Sequence, residues 1–442
     1  MRILIQVLIV INLYSCNSNH HLTEKGFSSV DASLGDCTTG AATNPVITLG
    51  SGTPGDPYII CNVFNLQAMN NDLTAHYELG RNIDASDTST WTTGTSGTGF
   101  IPIGGCGSDY ANCGVGRQFF SGSFNGLTFT INNLFINRTR GAVGLFGATS
   151  AAAVLTNIKL LNSDITGSAD TGGIVARLYS ALTQSYSKNS SVTGGIATGG
   201  ITGVSFGDIT EVSISGTVTG TATVGGLAGV ANGNLTLINS SAEVSGTSEV
   251  GGLVGYADYN FLPGTGPVYG IVANQVSATG NVNSTGGGPT GGAFGRIGTS
   301  IVYDSFTTGD VVGGAGTGGF VGEAAGNTVI RRSFATGDVD GGTASFVGAF
   351  IGRTIGNTGI EDCFGTGEVE DPTSSPDVGG FLGRNDSSGV LANVYPIPPD
   401  DSTPVISDFY DPAHPVYNLG STWDFTAIWN PPILGSSLPS LR

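Results

Sequence analysis

Nine times between residues 144 and 383 the chain writes a version of one pentapeptide, Gly-Gly-apolar-apolar-Gly. The copies begin with Val143-Gly144-Leu145-Phe146-Gly147, pass through forms such as Gly225-Gly226-Leu227-Ala228-Gly229 and Gly318-Gly319-Phe320-Val321-Gly322, and end with Gly379-Gly380-Phe381-Leu382-Gly383. Their second positions lie 29, 27, 26, 26, 40, 27, 30 and 31 residues apart. A near-constant period of this length is the mark of a stacked repeat architecture, in which each unit buries its apolar face only against its neighbours.

The segments between copies read as strands. Ser305-Phe306-Thr307-Thr308-Gly309-Asp310-Val311 returns as Ser333-Phe334-Ala335-Thr336-Gly337-Asp338-Val339 and as Cys363-Phe364-Gly365-Thr366-Gly367-Glu368-Val369. Apolar and polar residues alternate with period two, and helical periodicity is missing. The predicted fold is therefore all-β, a parallel β-solenoid of about nine repeats, right-handed by the general crossover preference. Its third and fourth pentapeptide positions form buried ladders, and its paired glycines avoid a clash with the neighbouring rung. Gly and Asn-Gly pairs are expected to supply left-handed corners between strands. Whether one repeat closes one coil is open at this point.

Gly makes up 73 of 442 residues, without the Gly-X-Y period of collagen. With 39% hydrophobic and 11% charged residues the chain is not of disordered composition. Acids outnumber bases 33 to 15, for a net charge of −18, which argues against nucleic acid as a partner and permits divalent cations.

Residues 1–15 read as a signal peptide: Arg2, an apolar run from Ile3 to Ile11 too short to span a bilayer, then Leu13-Tyr14-Ser15-Cys16. The last four resemble a lipobox, which makes Cys16 the expected lipidation site and residues 16–44 a polar tether. This implies an exported protein of the bacterial cell envelope, at the outer membrane or cell surface, with the membrane reached through the lipid. Residues 45–140 are expected to form an N-terminal capping module with a small helix over Val63–Met69, residues 141–395 the repeats, and residues 396–442 a C-terminal cap carrying Trp423 and Trp429. The two caps are expected to lie over the two ends of the column. Cys106 and Cys113 bracket a six-residue loop and form the favoured disulfide; Cys37–Cys61 is the second choice; Cys363 is expected as a small buried residue.

These features resemble the GLUG-motif family of secreted bacterial proteins. The resemblance rests on Gly52-Thr53-Pro54-Gly55-Asp56-Pro57-Tyr58, Phe120-Ser121-Gly122-Ser123-Phe124-Asn125-Gly126, the Gly-Gly-Leu-Val-Gly and Ser-Phe-Ala-Thr-Gly-Asp-Val repeats, and the terminal Trp423-Asp424-Phe425 and Leu438-Pro439-Ser440-Leu441-Arg442. It covers nearly the whole mature chain and implies an adhesin-like β-solenoid surface module, with no shared catalytic residues.

Three sets of residues are candidates for chemistry. Asp310, Asp338 and Glu368 occupy one repeat position and would form a vertical acidic row, with Asp340 and Glu370 beside it; such a row would bind Ca²⁺ or serve a polysaccharide lyase or hydrolase, and otherwise is a solvated polar face. Arg331, Arg332 and Arg353 are expected to pair with that row. Tyr256, Tyr259, Phe261 and Tyr269, around an insertion near 258–270, are the candidate ligand contacts, for a glycan or a partner-cell surface protein. Thr217, Thr219, Thr221 and Thr223 alternate, without visible continuation into neighbouring repeats. With four His in the chain, neither a metal site nor a Ser-His-acid set is expected; His76 and His414 read as surface or packing residues. Three functions follow: a non-enzymatic surface binding module, a polysaccharide-active enzyme built on the acidic row, or a structural envelope spacer.

Overall fold

The computed structural model describes Cys37 and residues 44–92, 97–105, 118–139, 142–257, 270–370, 377–395, 409, 413–418, 423–434 and 436–442. The signal segment, Cys16, Cys106, Cys113 and the insertion at 258–269 lie outside the described residues.

One repeat is one coil of a parallel β-solenoid. In the coil that starts at Gly252, the chain runs through Val254–Ala257, Val272–Ala278, Val282–Ser284 and Thr290–Gly291, and then reaches the next Gly-Gly corner. Among the described residues the first strand type builds a nine-stranded sheet and the last an eight-stranded sheet; the two middle types share one large sheet. Register is held by position. The fourth pentapeptide residues, Phe146, Val175, Thr202, Ala228, Val254, Phe294, Val321, Ile351 and Leu382, pair in one unbroken column. Third-position side chains, from Leu145 to Phe381, fill the core and are buried. In the last rungs this column becomes a stack of rings, with Phe320–Phe350 and Phe350–Phe381 centroids both 5.0 Å apart. Each such burial contributes about 1.5–3 kcal/mol.

The pentapeptide glycines answer to close approach, not to backbone handedness, since none of them has a positive φ. A Cβ added at Gly200, Gly226, Gly252 or Gly292 would overlap the carbonyl oxygen of the second-position glycine one rung on. At the fifth position, a Cβ on Gly255 or Gly322 would sit 2.5 Å from the backbone nitrogen of Val224 or Thr290 in the eight-stranded sheet. Left-handed backbone lies elsewhere, at a few glycines such as Gly316 and Gly326 and at a regular series of other residues. Asn157, Gln184, Glu211, Leu237, Gln275, Asp304, Arg332, Asp362 and Asn393, one per rung, have φ between 47° and 58°. Asn157 falls between two short strands, and each of the other eight interrupts the in-out alternation of a longer strand, so that Ala273 and Val276, on either side of Asn274 and Gln275, both face the core. Glycine does supply left-handed turns between strands, at Gly316, Gly326, Gly342 and Gly356, but the bends of the long strands keep an outward side chain and are held by the ladders on both sides.

The N-terminal module belongs to the same column. Tyr58, Tyr77, Phe124, Leu155 and Leu182 pair rung on rung, so the solenoid begins well before the first pentapeptide. The helix α1 (Val63–Ala68) is capped by Asn62, whose side chain accepts from the Asn65 amide at 2.8 Å. Among the described residues a disulfide joins Cys37 to Cys61 at the foot of this helix, the second of the two expected pairings; the first, Cys106–Cys113, lies outside the described residues.

The C-terminal cap lies on the side of the column. Phe306, Phe334, Phe364 and Tyr395 form an outward ladder on the large sheet. Phe409, Val416, Tyr417, Trp423 and Trp429 cover it, and Phe409 stacks on Phe364 at 4.2 Å. Trp429 Nε1 donates to Asp304 at 2.9 Å, and Arg332 donates to the same buried carboxylate at 2.7 and 2.8 Å. The expected lid over the last rung is thus a lateral clasp.

One exception to the glycine rule makes a test. Second-position glycines face a small residue across the coil: Gly252 faces Ala278, Gly292 faces Thr307 and Gly319 faces Ala335. In the next rung the roles exchange, and Ala349 faces Gly365, where an added Cβ would lie 3.0–3.2 Å from Ala349 atoms. We expect Gly365→Ala to cost about 1–2 kcal/mol by overpacking and Gly365→Ala with Ala349→Gly to recover most of it, read by denaturant unfolding. Additive losses would contradict the pairing.

Candidate binding face

Where the eight-stranded and nine-stranded sheets meet, their outer sides close on one another. The fifth glycine forms the floor: a Cβ at Gly352 would be 2.6 Å from the Gly316 carbonyl carbon and 2.7 Å from the Phe346 oxygen. Two columns of outward side chains therefore line a re-entrant groove along the solenoid axis. The first comes from the nine-stranded sheet and reads Arg177, Val204, Val230, Tyr256, Arg296, Glu323, Arg353, Arg384 in register. The second stands seven residues earlier in each rung, just before the Gly-Gly corner. The two columns meet across the corner. Asp170 pairs with Arg177, Arg384 Nη1 lies 3.6 Å from Asp377, and the Arg353 guanidinium lies 5.1 Å from the Phe346 ring centroid.

The groove changes character along its length. After the Asp170–Arg177 pair its early part is apolar, with Ala197, Val204 and Val230 in one small cluster against Phe206 and Tyr256. Tyr179 stacks on Phe206 at 4.6 Å beside it. Its later part is charged and balanced. Arg296 and Glu323 are 3.2 Å apart, Arg353 reaches Glu323 at 3.8 Å and Asp386 at 2.7 Å, and Arg384 reaches Asp386 at 2.9 Å. Hydrogen bonds, first from Arg384 and then from Arg353, hold the Asp386 carboxyl below its ordinary value. Phe346 has φ 69°, where the preceding rung has Gly316 at φ 79°. A bulky aromatic residue in that region is a true outlier.

Of the sequence candidates, Tyr256 lies in this groove, half-buried, with the Arg296 guanidinium 5.8 Å from its ring centroid. Tyr259, Phe261 and Tyr269 lie outside the described residues. The acidic row exists as a row on the other side of the molecule, and the fold uses it. The Asp310 amide donates to Asn281 Oδ1 at 3.0 Å, the Asp338 amide to Asp310 Oδ1 at 3.0 Å and the Glu368 amide to Asp338 Oδ1 at 2.9 Å. Each side chain catches the backbone of the next rung. Asp340 accepts from the Gly342 amide at 2.7 Å. Among the described residues no three His, Cys, Asp or Glu side chains converge to hold a metal ion.

The arginines expected to pair with the row pair elsewhere: Arg331 with Glu361, Arg332 with Asp304, Arg353 with Glu323 and Asp386. His76 shares a 2.7 Å hydrogen bond with Ser123 in the adjacent rung, and His414 packs on the Phe409 and Tyr395 rings. The threonines do continue between repeats: Thr166, Thr193 and Thr219 stand in register, followed by Ser245. Cys363 is buried in the column of Ser333 and bonds the Glu361 carbonyl as serines there do; burial pushes its thiol up. The groove residues Arg296, Glu323, Phe346 and Arg384 escaped sequence reasoning because they sit where the repeat does not repeat.

No family model matches the chain. A stretch of 139 residues, 30% of the chain, is 42% identical to halomucin of Haloquadratum walsbyi and covers 1% of that protein. A stretch of 130 residues, 29% of the chain, is 34% identical to a candidate Gly-rich membrane protein of Evansella cellulosilytica and covers 13% of it. The chain thus matches only a small part of either relative's length. A crystal structure of a candidate immunoglobulin A1 protease from Bacteroides ovatus aligns with 78% of this chain and 86% of its own, at 16% identity and a TM-score of 0.39.

If the acidic row is a set of backbone caps, Asp338→Asn keeps the acceptor, as Asn281 already shows at the head of the row, and leaves the melting temperature unchanged. Asp338→Ala loses it and costs about 1 kcal/mol. Equal losses for both, recovered by Ca²⁺, would contradict the assignment.

Proposed function

We propose that the chain is a non-enzymatic surface module, an exported β-solenoid held at the cell envelope, with Cys16 as its lipid-bearing residue, that presents a rigid lateral face to a glycan or a partner surface. One observation carries this reading. The columns that repeat most regularly are spent on holding rungs together: the glycines on backbone contact, the third position on the core, and the acidic row on the amides of the next rung. Side-chain chemistry varies freely from rung to rung in the groove, which is where a scaffold encodes a binding preference. The similarity of part of the chain to a protein described as a membrane protein supports an envelope location. The resemblance to GLUG-motif proteins supports the adhesin-like role.

The test is to incubate the purified mature chain with a panel of soluble polysaccharides and intact cell surfaces, with and without Ca²⁺, and to follow both retention and product release. Retention without any shortening of the polymer is the expected result. Release of oligosaccharides that stops in Asp338→Asn would replace the surface-module reading with an enzyme.

A further inference from the structure

Resting on that reading, we propose that the corner groove between Tyr256 and Arg384 is a binding strip for a neutral, linear, β-linked polysaccharide, one sugar to each rung. Successive rungs of a parallel sheet stand about 4.8 Å apart, nearly the length that one pyranose adds to an extended β-linked chain. Tyr256, Arg296, Glu323, Arg353 and Arg384 occupy one strand position in five consecutive rungs. A polymer laid along the axis would therefore place one sugar beside each of these side chains, with alternate sugars turned over.

The strip alternates guanidinium donors with the Glu323 and Asp386 acceptors, each partly exposed and already oriented by its neighbour. Paired donors and acceptors of this kind suit vicinal hydroxyls, which both donate and accept. Tyr256 at one end and Phe346 within the strip supply ring surface for the apolar C–H faces of sugars. Charge sets the class: Arg296, Arg353 and Arg384 are matched by Glu323, Asp377 and Asp386, and the chain as a whole carries −18, so a polyanion is repelled.

A Cβ at Gly316 would have no neighbour nearer than 3.7 Å, which leaves a notch between Pro289 and Phe346. In the next rung the left-handed corner is kept by Phe346, at a strain that glycine would remove. Two guanidiniums fix its ring, with Arg353 at 5.1 Å and Arg384 at 5.3 Å from the centroid. A ring retained and braced at a corner that favours glycine is a ring with a use.

The test is calorimetric titration of the full mature chain with cello- and chito-oligosaccharides of increasing length, with polygalacturonate as the anionic control. Affinity is expected to rise with length to about five sugars and then level off, with little dependence on salt. Phe346→Gly, which relieves the corner, should leave the melting temperature within a few degrees and weaken binding about tenfold. Gly316→Asn, which keeps a residue tolerant of the left-handed corner and fills the notch, should do the same. Three results would overturn the strip: no affinity for any neutral oligosaccharide, tighter binding of polygalacturonate, or binding untouched by both variants. Undiminished glycan binding in the variants removes the strip and leaves the surface-module reading standing, whereas turnover of the oligosaccharides removes that reading itself.

Discussion

Backbone pressed on backbone at the second pentapeptide glycine is the constraint from which the rest of the structure follows. With no Cβ at Gly200, Gly226, Gly252, Gly292 and Gly319, each corner sits directly on the carbonyl of the corner above. That contact fixes rung spacing and register together. Once the corners are superposed, the third-position residues must stack in the core and the fourth-position residues must pair, because the chain has no slack between them. The fifth glycine adds the second dimension by letting two sheets close on their outer side, and so makes the groove.

The division of labour between glycine and other residues is the least obvious feature. The pentapeptide glycines are used where space is short, and the left-handed bend of the long strands is given to Asn, Gln, Asp, Glu and even Arg and Leu. A single such residue costs on the order of 1 kcal/mol and persists only where its surroundings over-determine it. Here ladders on both sides do so in nine consecutive rungs. The return is an outward column of functional side chains on the bend. Asp304 and Arg332 belong to it, and they clamp Trp429 of the cap to the body.

Much of this was legible because repetition is legible. The Gly-Gly-apolar-apolar-Gly copies exposed the core columns and the steric task of the paired glycines. Ser305, Ser333 and Cys363 aligned by eye as they align in space. What could not be read is what repetition hides or what breaks it. The N-terminal strands share the column without sharing the pentapeptide, so Tyr58–Ile60 and His76–Leu79 looked like a separate module. The outward column that reads Ser213, Asn239, Ser277 and then Phe306, Phe334, Phe364 turns aromatic where the clasp docks. That switch was visible as the Phe of the Ser-Phe repeats, but its outward direction was not. The acidic row looked like a ligand site because sequence shows a carboxylate and not the amide it meets. The groove pairs, seven residues apart across the corner, carry no periodic signal at all.

The central claim is that the corner glycines are required by contact between rungs and not by flexibility. Thermal unfolding of Gly292→Ala against Gly287→Ala tests it most directly. A Cβ at Gly292 meets the Gly319 carbonyl, whereas a Cβ at Gly287 meets nothing within 4 Å, and neither residue has a positive φ. The account predicts a melting temperature several degrees lower for Gly292→Ala and an unchanged one for Gly287→Ala. Equal behaviour of the two variants would contradict it.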